Sequence, residues 1–204
     1  MQTVPSTRAL ALPGALLLAA LALPRPTLAQ RSVPPWERRT APSFSIEGGG
    51  VYTSMRGDLE RLNDGFGFEA QARLGVIALS LGAGYQRSTH SIANFESLGG
   101  DTERAVMSGV FLEPRVALLL GGTNFTPYLS GRVVRVTLTQ SQANVDVEGT
   151  DVAAGGGLLV WLAPAAQLNL SALYSATRFD ESALWSGRAR GNALTLRAGV
   201  TVGF

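Results

Sequence analysis

His90 is the single imidazole in a chain without cysteine, so histidine-based chemistry has one place to reside. Ser88, Ser91 and Glu96 lie close by in sequence, and a hydroxyl beside an imidazole is the minimum from which a serine nucleophile is built. The setting points elsewhere, because His90 opens a polar stretch that reads as a loop, where a solvated histidine is the ordinary outcome. Without cysteine, a Cys/His zinc site, a thiol nucleophile, a disulfide scaffold and a lipid-anchored cysteine are all excluded. Asp58, Glu60 and Asp64 carry calcium-type oxygens without the spacing of an EF-hand loop. Neither Gly48-Gly49-Gly50 nor Gly155-Gly156-Gly157 is followed by the lysine and helix start of a phosphate loop; they read as closely packed or bulged strand positions. No catalytic residue, metal or cofactor is expected, and the chain reads as a non-enzyme.

The remaining chemistry lies in the charges. All 17 basic residues are arginine, set against 15 acidic ones, for a net charge of +2. The excess has a definite location. Arg8, the apolar run 9–23 and the small-residue site Thr27-Leu28-Ala29 form a secretory leader over residues 1–29, with cleavage expected before Gln30 and export by the Sec route. The run is too short for a bilayer-spanning helix and is broken by Pro13-Gly14. Removing it leaves 15 arginines and 15 acids, which takes away the case for nucleic acid. Residues 30–42, with Pro34-Pro35-Trp36, form a flexible tether.

From residue 43 onward the apolar residues repeat with period two. Leu194, Leu196, Ala198, Val200, Val202 and Phe204 share one parity while Thr195, Arg197, Gly199 and Thr201 share the other. Phe66 to Leu74, Ile77 to Tyr85 and Leu168 to Tyr174 repeat the pattern, whereas 158–162 is apolar on both parities and leaves the side of Trp161 open. Eight strands are predicted over 43–53, 65–75, 76–87, 105–120, 125–138, 149–162, 166–176 and 191–204. Tight turns at Gly75-Val76, 121–124 and 163–165 alternate with longer polar connections at 54–64, 88–104, 139–148 and 177–190. That alternation describes an all-β fold, an eight-stranded antiparallel up-and-down barrel over residues 43–204.

Charge decides which side is wet. The polar parity holds Glu and Arg on several strands and the other holds almost none, so charge faces the lumen and the apolar face meets lipid. Only Arg135 falls on the lipid parity of the predicted strands. It stands ten residues beyond Phe125, roughly 24 Å up a tilted strand, which puts it at the rim. Tyr52, Tyr85 and Tyr174 near the loop ends and Phe125 and Phe204 near the turn ends mark two interfacial girdles. A symmetric turn at 121–124 places Glu113 opposite Arg132. Glu69, Glu113, Arg115, Arg132 and Arg197, with Glu47 and Arg73 close by, are expected in one salt-bridged layer near mid-barrel. Pro114 cannot donate a ladder hydrogen bond, so a bulge or slip is expected opposite Gly131. Arg87, Arg104, Arg178, Arg188 and Arg190 near the rim suit the phosphates of lipopolysaccharide.

The alternation, and above all the C-terminal run Arg197-x-Gly199-x-x-Val202-x-Phe204, resembles the small eight-stranded outer-membrane barrels, the family of the OmpA transmembrane domain, OmpX and the neisserial opacity proteins. The resemblance covers residues 43–204. It implies a monomer in the outer membrane with its N-terminus in the periplasm. It also implies that Arg197, Gly199, Val202 and Phe204 form the signal read by the barrel-assembly machinery. The functions in view are envelope integrity or the binding of a surface ligand through the loops. A narrow gated pore and a lipid A-modifying enzyme are the alternatives.

Overall fold

The computed structural model describes residues 43–92, 104–120, 124–140, 145–180 and 188–204; the leader, the tether and Glu96 lie outside them. The strands are β1 (Ser43–Gly57), β2 (Leu62–Val76), β3 (Leu79–Ile92), β4 (Arg104–Ala117), β5 (Phe125–Gln140), β6 (Val145–Ala163), β7 (Ala166–Phe179) and β8 (Arg190–Gly203). Each pairs antiparallel with its sequence neighbours, and β8 returns to β1 to close the barrel. The seam runs from Ser45↔Gly203 to Gly57↔Gly191. At its turn end the Phe204 amide donates to the Phe44 carbonyl at 2.9 Å, and the two rings lie 6.0 Å apart.

Outward positions form an apolar belt. On β2 it runs eleven residues from Phe66 to Val76 and on β7 seven residues from Leu168 to Tyr174. On a strand tilted ~45° with about 3.3 Å per residue these lengths rise about 26 and 16 Å, against an outer-membrane belt of about 25 Å. Large apolar side chains stand exposed on it, Phe66 at 70% and Leu74 at 66%. Exposure on this scale has a physical reason only if the belt is not facing water.

Every strand is longer at its loop end than the sequence pattern predicts. β1 and β2 are separated by 58–61 alone, and β5 continues to Gln140. The cause is an exchange of faces. Beyond the belt the outward residues become polar, as in Ser54, Arg56, Thr137, Glu148 and Asn192, while the inward ones become apolar. Met55, Leu62, Met107, Phe111, Val134, Val136, Leu138, Val147 and Phe179 pack there as one buried cluster, joined by Leu59 from the β1–β2 connection. The period of two persists, but a reading that fixes one parity as apolar stops each strand where the polarity reverses.

The β2–β3 turn also differs from expectation. It consists of Ile77 and Ala78, with Val76 paired to Leu79, and Ile77 takes a left-handed φ of 57°. This register sets Gly82 opposite Arg73 and Gly84 opposite Gln71. A Cβ on Gly82 would lie 2.8 Å from Arg73 Nη2. The glycines leave the space that long lumen side chains occupy. At Pro114 the ladder runs as far as Leu112↔Val133 and resumes at Arg115↔Ser130 in the same register. The missing donor interrupts the pairing without the expected bulge or slip.

Candidate functional site

The lumen at belt level is filled by charge. Glu113 comes from β4, fully buried, and its Oε1 accepts from Arg73 Nη2 at 2.7 Å and Arg115 Nη2 at 2.9 Å. Its Oε2 accepts from Arg132 Nη2 at 2.6 Å, Arg132 Nε at 2.8 Å and Arg197 Nη1 at 2.7 Å. One carboxylate therefore binds four guanidiniums. Glu69 accepts from Arg132 at 2.8 Å and Arg197 at 3.1 Å. Glu47 accepts from Arg115 at 3.4 Å, from Thr201 at 3.1 Å and from Asn169 Nδ2. The structure thus brings together Glu47, Glu69, Arg73, Glu113, Arg115, Arg132 and Arg197, contributed by β1, β2, β4, β5 and β8. Inward parity carries each of them to the axis, and an eight-stranded barrel is only wide enough for side chains to meet there.

Partners that sequence reasoning did not single out complete the layer. Tyr128 is buried, its hydroxyl donates to Asn169 Oδ1 at 2.7 Å, and Arg115 lies over its ring at 4.0 Å. A Cβ on Gly157 would come within 2.5 Å of that hydroxyl, so Gly157 is needed where it stands. Arg132 lies over the Phe111 ring at 3.9 Å, where the charged layer meets the apolar cluster above. The signal for these was present as inward parity, but no charge marked them. Trp161 also takes the lumen parity, at the turn end, opposite Gln167.

Four arginines face three glutamates in this layer. Buried Arg73 Nε, Arg115 Nε, Arg197 Nη2 and Gln71 Nε2 have no hydrogen-bond partner. Asp151, on the same lumen face one step above Ala153, accepts from Thr177 at 2.6 Å and is within electrostatic reach of Arg132 at the upper edge of the layer.

The C-terminal residues have a role in the closed barrel itself. Arg197 points to Glu113 and Glu69, and Gly199 faces Gly49 across the seam. A Cβ on Gly199 would lie 2.6 Å from the Gly48 carbonyl. Val202 and Phe204 complete the outward face.

His90 is not a solvated loop residue. It sits on β3, fully buried on the lumen side, opposite Gly65. Its Nδ1 lies 2.9 Å from the Asn63 carbonyl and its Nε2 2.9 Å from Ser88 Oγ. A Cβ on Gly65 would overlap the ring at 2.3 Å, so the imidazole fills the space of a missing side chain. Strand continuation past residue 87 is what moved it inward. The Ser88–His90 contact resembles a nucleophile and its base, but the imidazole is fully buried and Ser88 is paired across the ladder with Met107 of the apolar cluster.

The first-loop acids are spread apart. The Asp58 carboxylate accepts from the Arg190 amide at 3.1 Å, and that of Asp64 accepts from the Tyr52 hydroxyl. Arg135 lies exposed at the rim and pairs with Glu148 at 2.6 Å. It is not alone on the outward parity: Arg87 shares it already within the predicted strand 76–87, and with the longer strands so do Arg56, Arg104, Arg178 and Arg190, all above the belt. Arg188 is exposed just before β8.

No protein-family model matches the chain, and no curated protein is similar to it at a significant level. Solved structures are. The chain is similar to Neisserial surface protein A, with a TM-score of 0.58 at 14% identity, over 80% of this chain and 99% of that one. It is similar to the outer membrane protein AlkL, with a TM-score of 0.54 at 15% identity, over 81% and 91%. OprG from Pseudomonas aeruginosa gives a TM-score of 0.50 at 12% identity, over 81% and 97%. The fold is that of the small eight-stranded outer-membrane β-barrels.

Proposed function

We propose that the protein is an outer-membrane barrel with a closed lumen that acts through its outer surface. It stabilises the envelope and holds its loops clear of the lipid as a surface-binding element. The observation that carries this reading is the double filling of the interior. A Glu113-centred ion network occupies the belt level, and an apolar cluster occupies the level above it. The apolar belt outside and the polar wall above it support a barrel that projects beyond the bilayer. A closed sheet offers no free edge, which supports a monomer. The terminal Arg197, Gly199, Val202 and Phe204 serve assembly as the signal for the insertion machinery.

Two experiments test the reading. In fractionated cells the protein is expected in the outer membrane and to require detergent for release; release by salt or osmotic shock contradicts the assignment. Deletions within 93–103, 141–144 and 181–187 are expected to leave a folded barrel that has lost surface adhesion or serum resistance. Unchanged surface phenotypes leave envelope integrity as the role.

A further inference from the structure

The outer wall of β7, β8 and β1 carries three arginines at one height. Arg178 and Arg190 are directly paired across β7 and β8, and Arg56 pairs with Asn192, the next outward residue of β8. All three side chains are exposed. Among the described residues none of them forms an ion pair, in contrast to Arg135 on the far side of β6. The nearby acids are held by other groups: Asp58 accepts from the Arg190 backbone amide, Asp64 accepts from the Tyr52 hydroxyl and is within electrostatic reach of Arg56 without pairing to it, and Asp180 lies further up the rim. Like charges directly opposite on neighbouring strands destabilise a sheet. A pair of this kind on an otherwise well-matched wall has the composition of an anion site.

Height identifies the anion. Arg178 stands four residues beyond Tyr174, Arg190 four before Leu194 and Arg56 four beyond Tyr52, the last large apolar outward residues of their strands. At about 3.3 Å per residue on a ~45° strand, each Cα lies about 9 Å above the belt edge. The headgroup layer there is about 5 to 7 Å deep, and an arginine stem reaches back into it. Exposed Tyr174 and Leu194 lie directly beneath. Cations above an apolar wall match a phosphate group carried on acyl chains. Guanidiniums bind phosphate in bidentate fashion, and three on adjoining strands suit a phosphate monoester with two negative charges.

We infer that Arg56, Arg178 and Arg190 form a binding site for the phosphorylated headgroup of a membrane glycolipid. The site is independent of the lumen and of the loops. It narrows the wider set of rim arginines to one face, and leaves Arg87 on β3, four strands from Arg178 in either direction, outside it.

The test uses the mature chain folded in phosphatidylcholine nanodiscs, with thermal unfolding as readout. Four conditions are compared: phosphatidylcholine alone, added bisphosphorylated lipid A, added dephosphorylated lipid A, and inorganic phosphate in the buffer. The unfolding midpoint is expected to rise only with the bisphosphorylated lipid. Arg178→Gln/Arg190→Gln is expected to lose at least half of that rise, while Arg87→Gln keeps it. In phosphatidylcholine alone the double variant is expected to unfold at or above the wild-type temperature, because a repulsive pair has been removed. That value also shows that the variant folds. An equal rise with dephosphorylated lipid, an equal loss in Arg87→Gln, or full retention in the double variant would overturn the site. An equal rise with inorganic phosphate would overturn its assignment to a lipid.

Discussion

Below the belt edge the barrel wall is apolar outside and charged inside; above it the same strands are polar outside and apolar inside. The two halves share one backbone, one strand period and one closed hydrogen-bond ladder, and differ in what surrounds them. In the lower half the exterior is matched to lipid, so polar groups are gathered inside, where they must find partners. In the upper half the exterior is matched to water, and the interior is an ordinary apolar core built of Met55, Met107, Val136, Leu138 and Phe179. Arg132 on Phe111 joins the two, a cation on an aromatic face at the level where the polarity reverses.

The halves should therefore fail differently. The largest effect is expected from Glu113→Ala, which leaves four buried guanidiniums without their shared carboxylate. Removing one partner of a buried ion pair costs about 3 to 5 kcal/mol, and urea unfolding of the folded barrel in detergent should show a loss at or above that range. A cost below that of an upper-half truncation would break the claim that ions hold the lower half. Leu138→Ala, in the upper half, should cost about 2 to 5 kcal/mol through lost burial and the cavity left behind. Raised salt should leave that loss unchanged.

A smaller effect, of opposite sign, sharpens the comparison. The lower layer has four arginines against three glutamates, and the buried Gln71 amide nitrogen has no acceptor while its oxygen accepts from Arg73 at 3.0 Å. Gln71→Glu supplies a fourth carboxylate in nearly the same volume and is expected to raise stability by about 1 kcal/mol. A loss of stability instead would mean that the layer is already balanced. The smallest effect is expected at Arg135→Ala. Its pair with Glu148 is exposed on both sides, and unfolding should shift by no more than the error of the measurement.

The lower half was legible in the sequence because lipid and lumen impose opposite demands on alternate residues. Glu113 opposite Arg132 followed from turn symmetry alone, since an antiparallel pair fixes register once its turn is centred. The upper half was not legible in the same way. Its residues alternate as regularly, but with the faces exchanged, and a polar outward residue such as Ser54 or Glu148 reads as part of a loop. That one reversal hid the ends of the strands, moved His90 from an expected loop to a buried lumen position, and kept Arg178 and Arg190 from being recognised as a cross-strand pair. The Ile77-Ala78 turn was obscured for another reason. Glycine is the usual residue at positive φ, so Gly75 drew the prediction, whereas the register is set by the space that Gly82 and Gly84 leave for Arg73 and Gln71.

Because each half fills the lumen by itself, opening a path through the barrel requires both to be breached. Single-channel recording in planar bilayers tests this most directly, on the refolded wild type and on Glu113→Ala and Leu138→Ala singly. The wild type and both single variants are expected to be silent, the intact half blocking in each variant. Discrete conductance steps from the wild type would contradict that expectation.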